Sequence, residues 1–101
     1  MFIILIHFRK SDSQIDYYNE DHKQFLKENI AEGNFITAGM RSPKTGEAIL
    51  SCIDDLESLQ IILSEDPFYK QRIGQYEIIE FTPDMTCNQM QEYMDTHDEN
   101  C

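Results

Sequence analysis

Two residues of the sequence, His22 and Asp66, have types and positions that suit acid–base chemistry. His22 falls near the centre of a stripe of apolar residues at helical spacing, so its ring is predicted to point inward. The stripe consists of Ile15, Tyr18, Phe25, Leu26 and Ile30. An imidazole, with an ordinary pKa of about 6.5, can act as a general acid or base near neutrality. The alternative is a half-buried histidine that packs its ring while one nitrogen hydrogen-bonds a carbonyl.

Asp66 stands directly before Pro67, and this fixes where the second predicted helix must end. A residue that precedes proline is pushed into an extended conformation, so the carboxylate lies at a defined corner of the chain. On its own, such a carboxylate is a turn or capping residue. Beside an imidazole it would accept the ring N–H, fix the tautomer and raise the basicity of the other nitrogen.

His7 is a third candidate, predicted to lie on the sheet face opposite the helices. It either lines a ligand site or is a satisfied histidine at an interface. The sequence contains no Gly-rich phosphate loop, nucleophile elbow, zinc-ligand spacing or Cys/His nucleophile pattern. It therefore gives no support for a nucleotide or metal cofactor, and none is expected.

The composition is that of one small acidic domain of 101 residues. Acidic residues number 19 against 8 basic ones, for a formal net charge of −11. This charge repels phosphate backbones and anionic membranes, so neither nucleic acid nor a membrane surface is an expected partner. No apolar run approaches the roughly 20 residues that a membrane-spanning helix needs.

The apolar start of the chain has neither a preceding basic region nor a small-residue cleavage site, so we interpret it as a strand rather than a signal peptide. The three cysteines, Cys52, Cys87 and Cys101, are odd in number and lack metal-ligand spacing. We expect free thiols and a cytoplasmic protein.

Apolar periodicity and turn residues predict four strands and two helices. The strands are expected at 2–8, 34–40, 47–53 and 75–82, and the helices from Ser11 to Gly33 and from Asp54 to Asp66. Asp54 and Glu57 have the spacing of a capping box, and Pro43 and Gly46 mark a hairpin turn. The order β-α-β-β-α-β is that of the ferredoxin-like split β-α-β fold, an α+β architecture in which both helices cover one face of an antiparallel sheet.

That fold leaves the second face of the sheet uncovered. The first strand would present Ile3, Leu5 and His7 there if its alternate residues face the helices. An apolar face of this size needs a partner, and a second copy of the chain is the simplest one, so a homodimer is predicted.

Residues 84–101 contain five acids and no lysine or arginine, and we predict an acidic, mobile tail after a domain of residues 1–83. The alternative for this segment is one helical turn in which Met90, Tyr93 and Met94 contact the partner subunit.

Several short motifs, taken together, resemble those of the YciI-like family. They are His22-x-x-Phe25-Leu26, Gly33 and Gly39 around the second strand, Thr45-Gly46 in the hairpin, and Glu65-Asp66-Pro67-Phe68 before Tyr76-Glu77-Ile78-Ile79-Glu80-Phe81. The resemblance covers residues 1 to about 83. It implies a dimeric α+β barrel with a cavity in each subunit and a catalytic pair, which the matching motifs place at His22 and Asp66.

The members that this chain resembles include a dehydrochlorinase domain that acts on a chlorinated hydroxyquinol without a cofactor. The leading hypothesis is therefore a cofactor-independent lyase, dehydrohalogenase or isomerase that moves a proton on a small cyclic or aromatic metabolite. His7, Tyr76 and Phe68 are expected to line its substrate pocket. The alternatives are a dimer that binds or senses a small molecule without turnover, and a structural dimer with no ligand site.

Overall fold

A computed structural model describes residues 1–96 of the chain, in the order β-α-β-β-α-α-β-α. The elements are β1 (Phe2–Phe8), α1 (Asp12–Ala31), β2 (Phe35–Met40), β3 (Gly46–Ser51), α2 (Leu56–Leu63), α3 (Pro67–Lys70), β4 (Gly74–Glu80) and α4 (Asn88–Thr96). The strands form one antiparallel sheet in the order β2-β3-β1-β4, with helices on one face. The predicted α+β architecture is confirmed.

Helix α1 begins and ends at the residues that the sequence indicates. The Ser11 hydroxyl caps its first turn by accepting a hydrogen bond from the Gln14 backbone N–H, and Gly33 follows its end with a φ of 82°. His22 and Phe25 are buried on its inner face, as the apolar stripe predicts. The prediction that Ile30 belongs to the inner face is wrong, because Ile30 lies beyond the edge of the sheet-facing side of the helix and is exposed.

Alternation along β1 separates two faces of the sheet. Phe2, Ile4 and Ile6 are fully buried beneath the helices, in one core with residues from the other elements. Ile3, Leu5 and His7 are only half-buried on the opposite face, where the sequence places them.

Helix α2 is capped by Asp55 rather than by Asp54. The Asp55 side chain accepts a hydrogen bond from the Ser58 backbone N–H, so the capping box predicted one residue earlier is wrong. After α2 the chain does not pass directly to the last strand, because Asp66 and Pro67 start the additional short helix α3.

The segment after β4 contains a helix where the sequence analysis expects a mobile tail. In α4, the side chains of Met90 and Met94 are one turn apart and line a cavity of about 490 Å³ that also touches Leu50 and Phe81. The helix agrees with the helical part of the alternative, whereas its contact with a partner subunit stays a prediction, and residues 97–101 of the expected tail lie outside the described residues.

The predictions for the cysteines have different outcomes. Cys87 is free and exposed as predicted, but Cys52 is disulfide-bonded, so the expectation of three free thiols is wrong. Which sulfurs meet is decided by the tertiary structure and cannot be read from their spacing. Cys101 lies outside the described residues.

Within residues 1–96, no helix is long and apolar enough to cross a membrane.

Candidate functional site

Strand register places two polar side chains on the buried face of the sheet. Ile6 of β1 pairs with Glu47 of β3 on one side and with Tyr76 of β4 on the other, so the three residues form a row across the sheet. Because paired residues share a face, Glu47 and Tyr76 point toward the helices as Ile6 does. α1 covers this face and brings His22 to the same place.

Asp66 reaches this row because of its position at the start of α3. Its backbone is extended, and its Oδ1 accepts a hydrogen bond of 2.9 Å from the Phe68 backbone N–H, which makes Asp66 the N-cap of the helix. Pro67 in the first turn fixes the direction in which α3 leaves. Asp66 therefore caps a helix, as its simpler interpretation predicts, and also contacts the imidazole.

His22 lies between two carboxylates and is fully buried. Its Nδ1 is 2.7 Å from Asp66 Oδ1, so the predicted hydrogen bond between these two residues is present. Its Nε2 is 2.7 Å from Glu47 Oε1. The second ring nitrogen of His22 is therefore also bonded to a carboxylate.

Phe68 holds the imidazole from one face. The two rings stack with centroids 3.9 Å apart and an interplanar angle of 4°, and Phe68 is fully buried. An aromatic face in this position is favourable for a cationic ring. Phe68 was expected to line a substrate pocket, but in the structure it packs on His22 and has no exposed surface.

The pKa of His22 is set by a balance of opposing effects. Burial, the largest single influence, lowers the pKa of the imidazole because it disfavours the charged form. The hydrogen bonds and charges of Asp66 and Glu47 together outweigh burial and raise the pKa of His22 from 6.5 to about 9. At neutral pH the ring is therefore an imidazolium.

Tyr76 connects this buried cluster to a cavity. Its hydroxyl donates a short hydrogen bond to Asp66 Oδ2, and burial followed by the negative charge of Asp66 raises the pKa of the phenol. Tyr76 therefore stays neutral. It also lines a cavity of about 380 Å³, together with Gln60, Leu63, Tyr69 and Ile78. Tyr76 thus borders a cavity, and the expectation that this residue lines a substrate pocket stays a prediction.

His7 lies on the opposite face of the sheet, away from His22. Its Nε2 is 2.9 Å from Glu77 Oε1, and its Nδ1 accepts a hydrogen bond of 2.9 Å from Arg41. The structure thus brings His22, Asp66, Tyr76 and Phe68 together but leaves His7 out of this group.

Glu47 is the member of the cluster that was not predicted from the sequence. The inward direction of Glu47 could be predicted, because Glu47 and Ile49 are two residues apart on β3 and share a face of the sheet. Ile49 is a core residue. A glutamate on the inward face of a strand must find a partner in the core. Among residues 1–96, no cluster of His, Cys, Asp and Glu side chains is arranged to hold a metal ion.

Comparisons with known proteins agree with this architecture. The family model of the YCII-related domain matches residues 1–82, and the chain belongs to that family. No curated protein matches the sequence.

One similar solved structure is 5-chloro-2-hydroxyhydroquinone dehydrochlorinase from Burkholderia phenoliruptrix AC1100, in complex with 2,5-dihydroxybenzoquinone. It superimposes with a TM-score of 0.66 at 13% sequence identity, over 81% of this chain and 94% of that one. At this identity the likeness shows the shared fold.

Proposed function

We propose that this protein is a cofactor-independent lyase or isomerase that uses the His22–Asp66 pair for proton transfer on a small cyclic or aromatic metabolite, in which Asp66 exchanges the proton through Tyr76 and His22 orients Asp66. The observation that carries the proposal is the connection of a buried, doubly paired His22 through Asp66 to Tyr76, which borders a cavity. Buried ionic groups are costly to fold, and strongly shifted pKa values beside a cavity are typical of functional sites. The dehydrochlorinase of similar fold supports lyase-type chemistry.

The arrangement defines the route by which protons reach a ligand. Both ring nitrogens of His22 are bonded to carboxylates, so the ring does not touch the cavity itself. The proposed route requires that a ligand in the cavity reaches the Tyr76 hydroxyl, which is bonded to Asp66 Oδ2. When the Tyr76 oxygen takes a proton from the ligand, the hydroxyl proton of Tyr76 passes to Asp66. A proton returns to the ligand by the reverse path.

The second candidate function is a dimer that binds a small molecule without turnover. It is favoured by the protonation of His22, since an imidazolium has both ring nitrogens protonated and cannot accept a proton from a ligand at neutral pH. In that case Tyr76 only hydrogen-bonds the ligand.

Asp66→Asn and Tyr76→Phe test the proton route. With chlorinated hydroxyquinol and a panel of small cyclic compounds as substrates, we expect Asp66→Asn to lower kcat at least about 10²-fold, the usual contribution of a positioned acid or base. Tyr76→Phe removes the hydroxyl that is bonded to Asp66 Oδ2 and is expected to lower kcat by a similar factor. Tyr17→Phe, at an exposed position of α1, is the matched control and should keep wild-type kcat.

Calorimetric titration of the same compounds separates the two functions. Turnover that Asp66→Asn and Tyr76→Phe abolish supports the enzyme. Binding without turnover in the wild type would replace it with the binding dimer.

We further propose a homodimer that buries the open face of the sheet. Ile3, Leu50 and Ile79 present apolar surface there, beside a shallow cavity of about 300 Å³. Light scattering across dilution should give twice the chain mass of 11.9 kDa. Ile79→Lys should shift the protein to monomer, whereas Tyr17→Lys on α1 should not, and a wild-type monomer at micromolar concentration contradicts the proposal.

A further inference from the structure

Glu47 is a charged side chain in the core, with 5% of its surface exposed. Its carboxylate is bonded to His22 Nε2, and within residues 1–96 no lysine or arginine forms an ion pair with Glu47 or with Asp66. A buried carboxylate that lacks an opposite charge is strongly destabilising. His22 is therefore the group that can supply positive charge to both.

The number of protons on the His22 ring also indicates that His22 is positively charged. A neutral imidazole has one N–H, and an ionised carboxylate only accepts hydrogen bonds. Both ring nitrogens are 2.7 Å from a carboxylate oxygen, within the range of charge-assisted hydrogen bonds. Two ionised carboxylates at these distances are both satisfied only when the ring carries two protons.

We propose that Glu47 is a positioning residue, whose carboxylate holds the Nε2–H of His22 and so keeps the ring an imidazolium turned toward Asp66. The charged and titratable groups that face His22 are Glu47 from β3, Asp66 from α3 and, through Asp66, Tyr76 from β4. Tyr76 donates a hydrogen bond and adds no charge, so the two carboxylates determine the protonation of the ring. The raised pKa of His22 agrees with this.

The neighbouring residue Gly46 explains how Glu47 is aimed. A Cβ at Gly46 would lie 1.8 Å from the Ile6 carbonyl oxygen, so only glycine allows β3 to approach β1 this closely. The close pairing sets the register that directs Glu47 to the helix-facing side of the sheet. A substitution at Gly46 is therefore expected to disturb the His22–Glu47 contact.

The effect of Glu47 on turnover rests on the proposed function. Glu47 prevents rotation of the ring, so Nδ1–H stays on Asp66 Oδ1 and leaves Oδ2 to Tyr76. Without the Glu47 charge the ring loses its second proton at lower pH, and the pH profile of any turnover shifts with it.

Nitrogen-15 NMR of the histidine rings tests the inference without a substrate. At pH 7.5 both ring nitrogens of His22 should show the shifts of protonated nitrogen in the wild type. Glu47→Gln should lower the proton affinity of His22 at least about tenfold, equal to one pKa unit, because a charge-assisted bond becomes a neutral one. Glu47→Asp keeps a carboxylate, so it should lower the proton affinity of His22 less than Glu47→Gln does.

Glu77→Gln is the matched control, because it makes the same change in the His7–Glu77 pair on the other face of the sheet and should leave His22 unaltered. The inference is overturned if wild-type His22 carries one ring proton at pH 7.5, a result that needs no variant to fold. It is also overturned if Glu47→Gln changes the titration of His22 no more than Glu77→Gln does. Absence of turnover with a doubly protonated His22 would instead remove the proposed function and leave the role of Glu47 intact.

Discussion

Replacing His22 with Gln is expected to lower the free energy of unfolding by about 3–5 kcal/mol, the usual cost of breaking a buried ion pair. The substitution leaves Asp66 and Glu47 buried without the positive charge between them. It also removes the ring that stacks on Phe68. Urea unfolding followed by circular dichroism at pH 7 measures the change.

Two further variants test whether this loss of stability comes from the buried charges. The double substitution His22→Gln with Glu47→Gln removes one of the stranded carboxylates, so it should be less destabilising than the sum of the two single changes. His7→Gln removes a histidine from the half-exposed pair with Glu77 and should cost less than about 1 kcal/mol. Equal losses for His22→Gln and His7→Gln would show that the buried pairs do not stabilise the fold.

The free energy of unfolding of the wild type is expected to fall by about 3 kcal/mol as the pH rises from 6 to 10. The pKa of His22 is raised in the folded state, from 6.5 to about 9, so the folded protein binds the ring proton more tightly than the unfolded chain does. This contribution is full below about pH 6.5 and is lost as the pH rises through about 9. Between these values one proton is released on unfolding, which gives a slope of about −1.4 kcal/mol per pH unit.

Urea unfolding at intervals of half a pH unit tests this dependence. Glu47→Gln should move the window of decreasing stability to lower pH, because it removes one of the two carboxylates that raise the pKa of His22. A free energy of unfolding that stays flat between pH 7 and 9 would contradict the imidazolium assignment.

Much of the site could be predicted from local sequence rules. The 3.6-residue spacing of apolar residues places His22 on the inner face of α1, because helical geometry alone fixes which side chains share a face. Pro67 fixes the extended backbone at Asp66, since the restriction acts between neighbours in the chain, although Asp66 begins α3 instead of ending α2. The pairing of these two residues also followed from family-like motifs, and the hydrogen bond between them is present.

The remaining features depend on contacts between distant parts of the chain. Glu47 meets His22 because the pairing of β3 with β1 directs it to the buried face, and strand register is a non-local property. The pairing of β4 with β1 brings Tyr76 to Asp66, and the alternation of side chains along β1 leaves His7 on the other side of the sheet. Sequence rules act within a few residues, so they determined the elements and the inward histidine, whereas only the tertiary structure decided that two carboxylates would surround it.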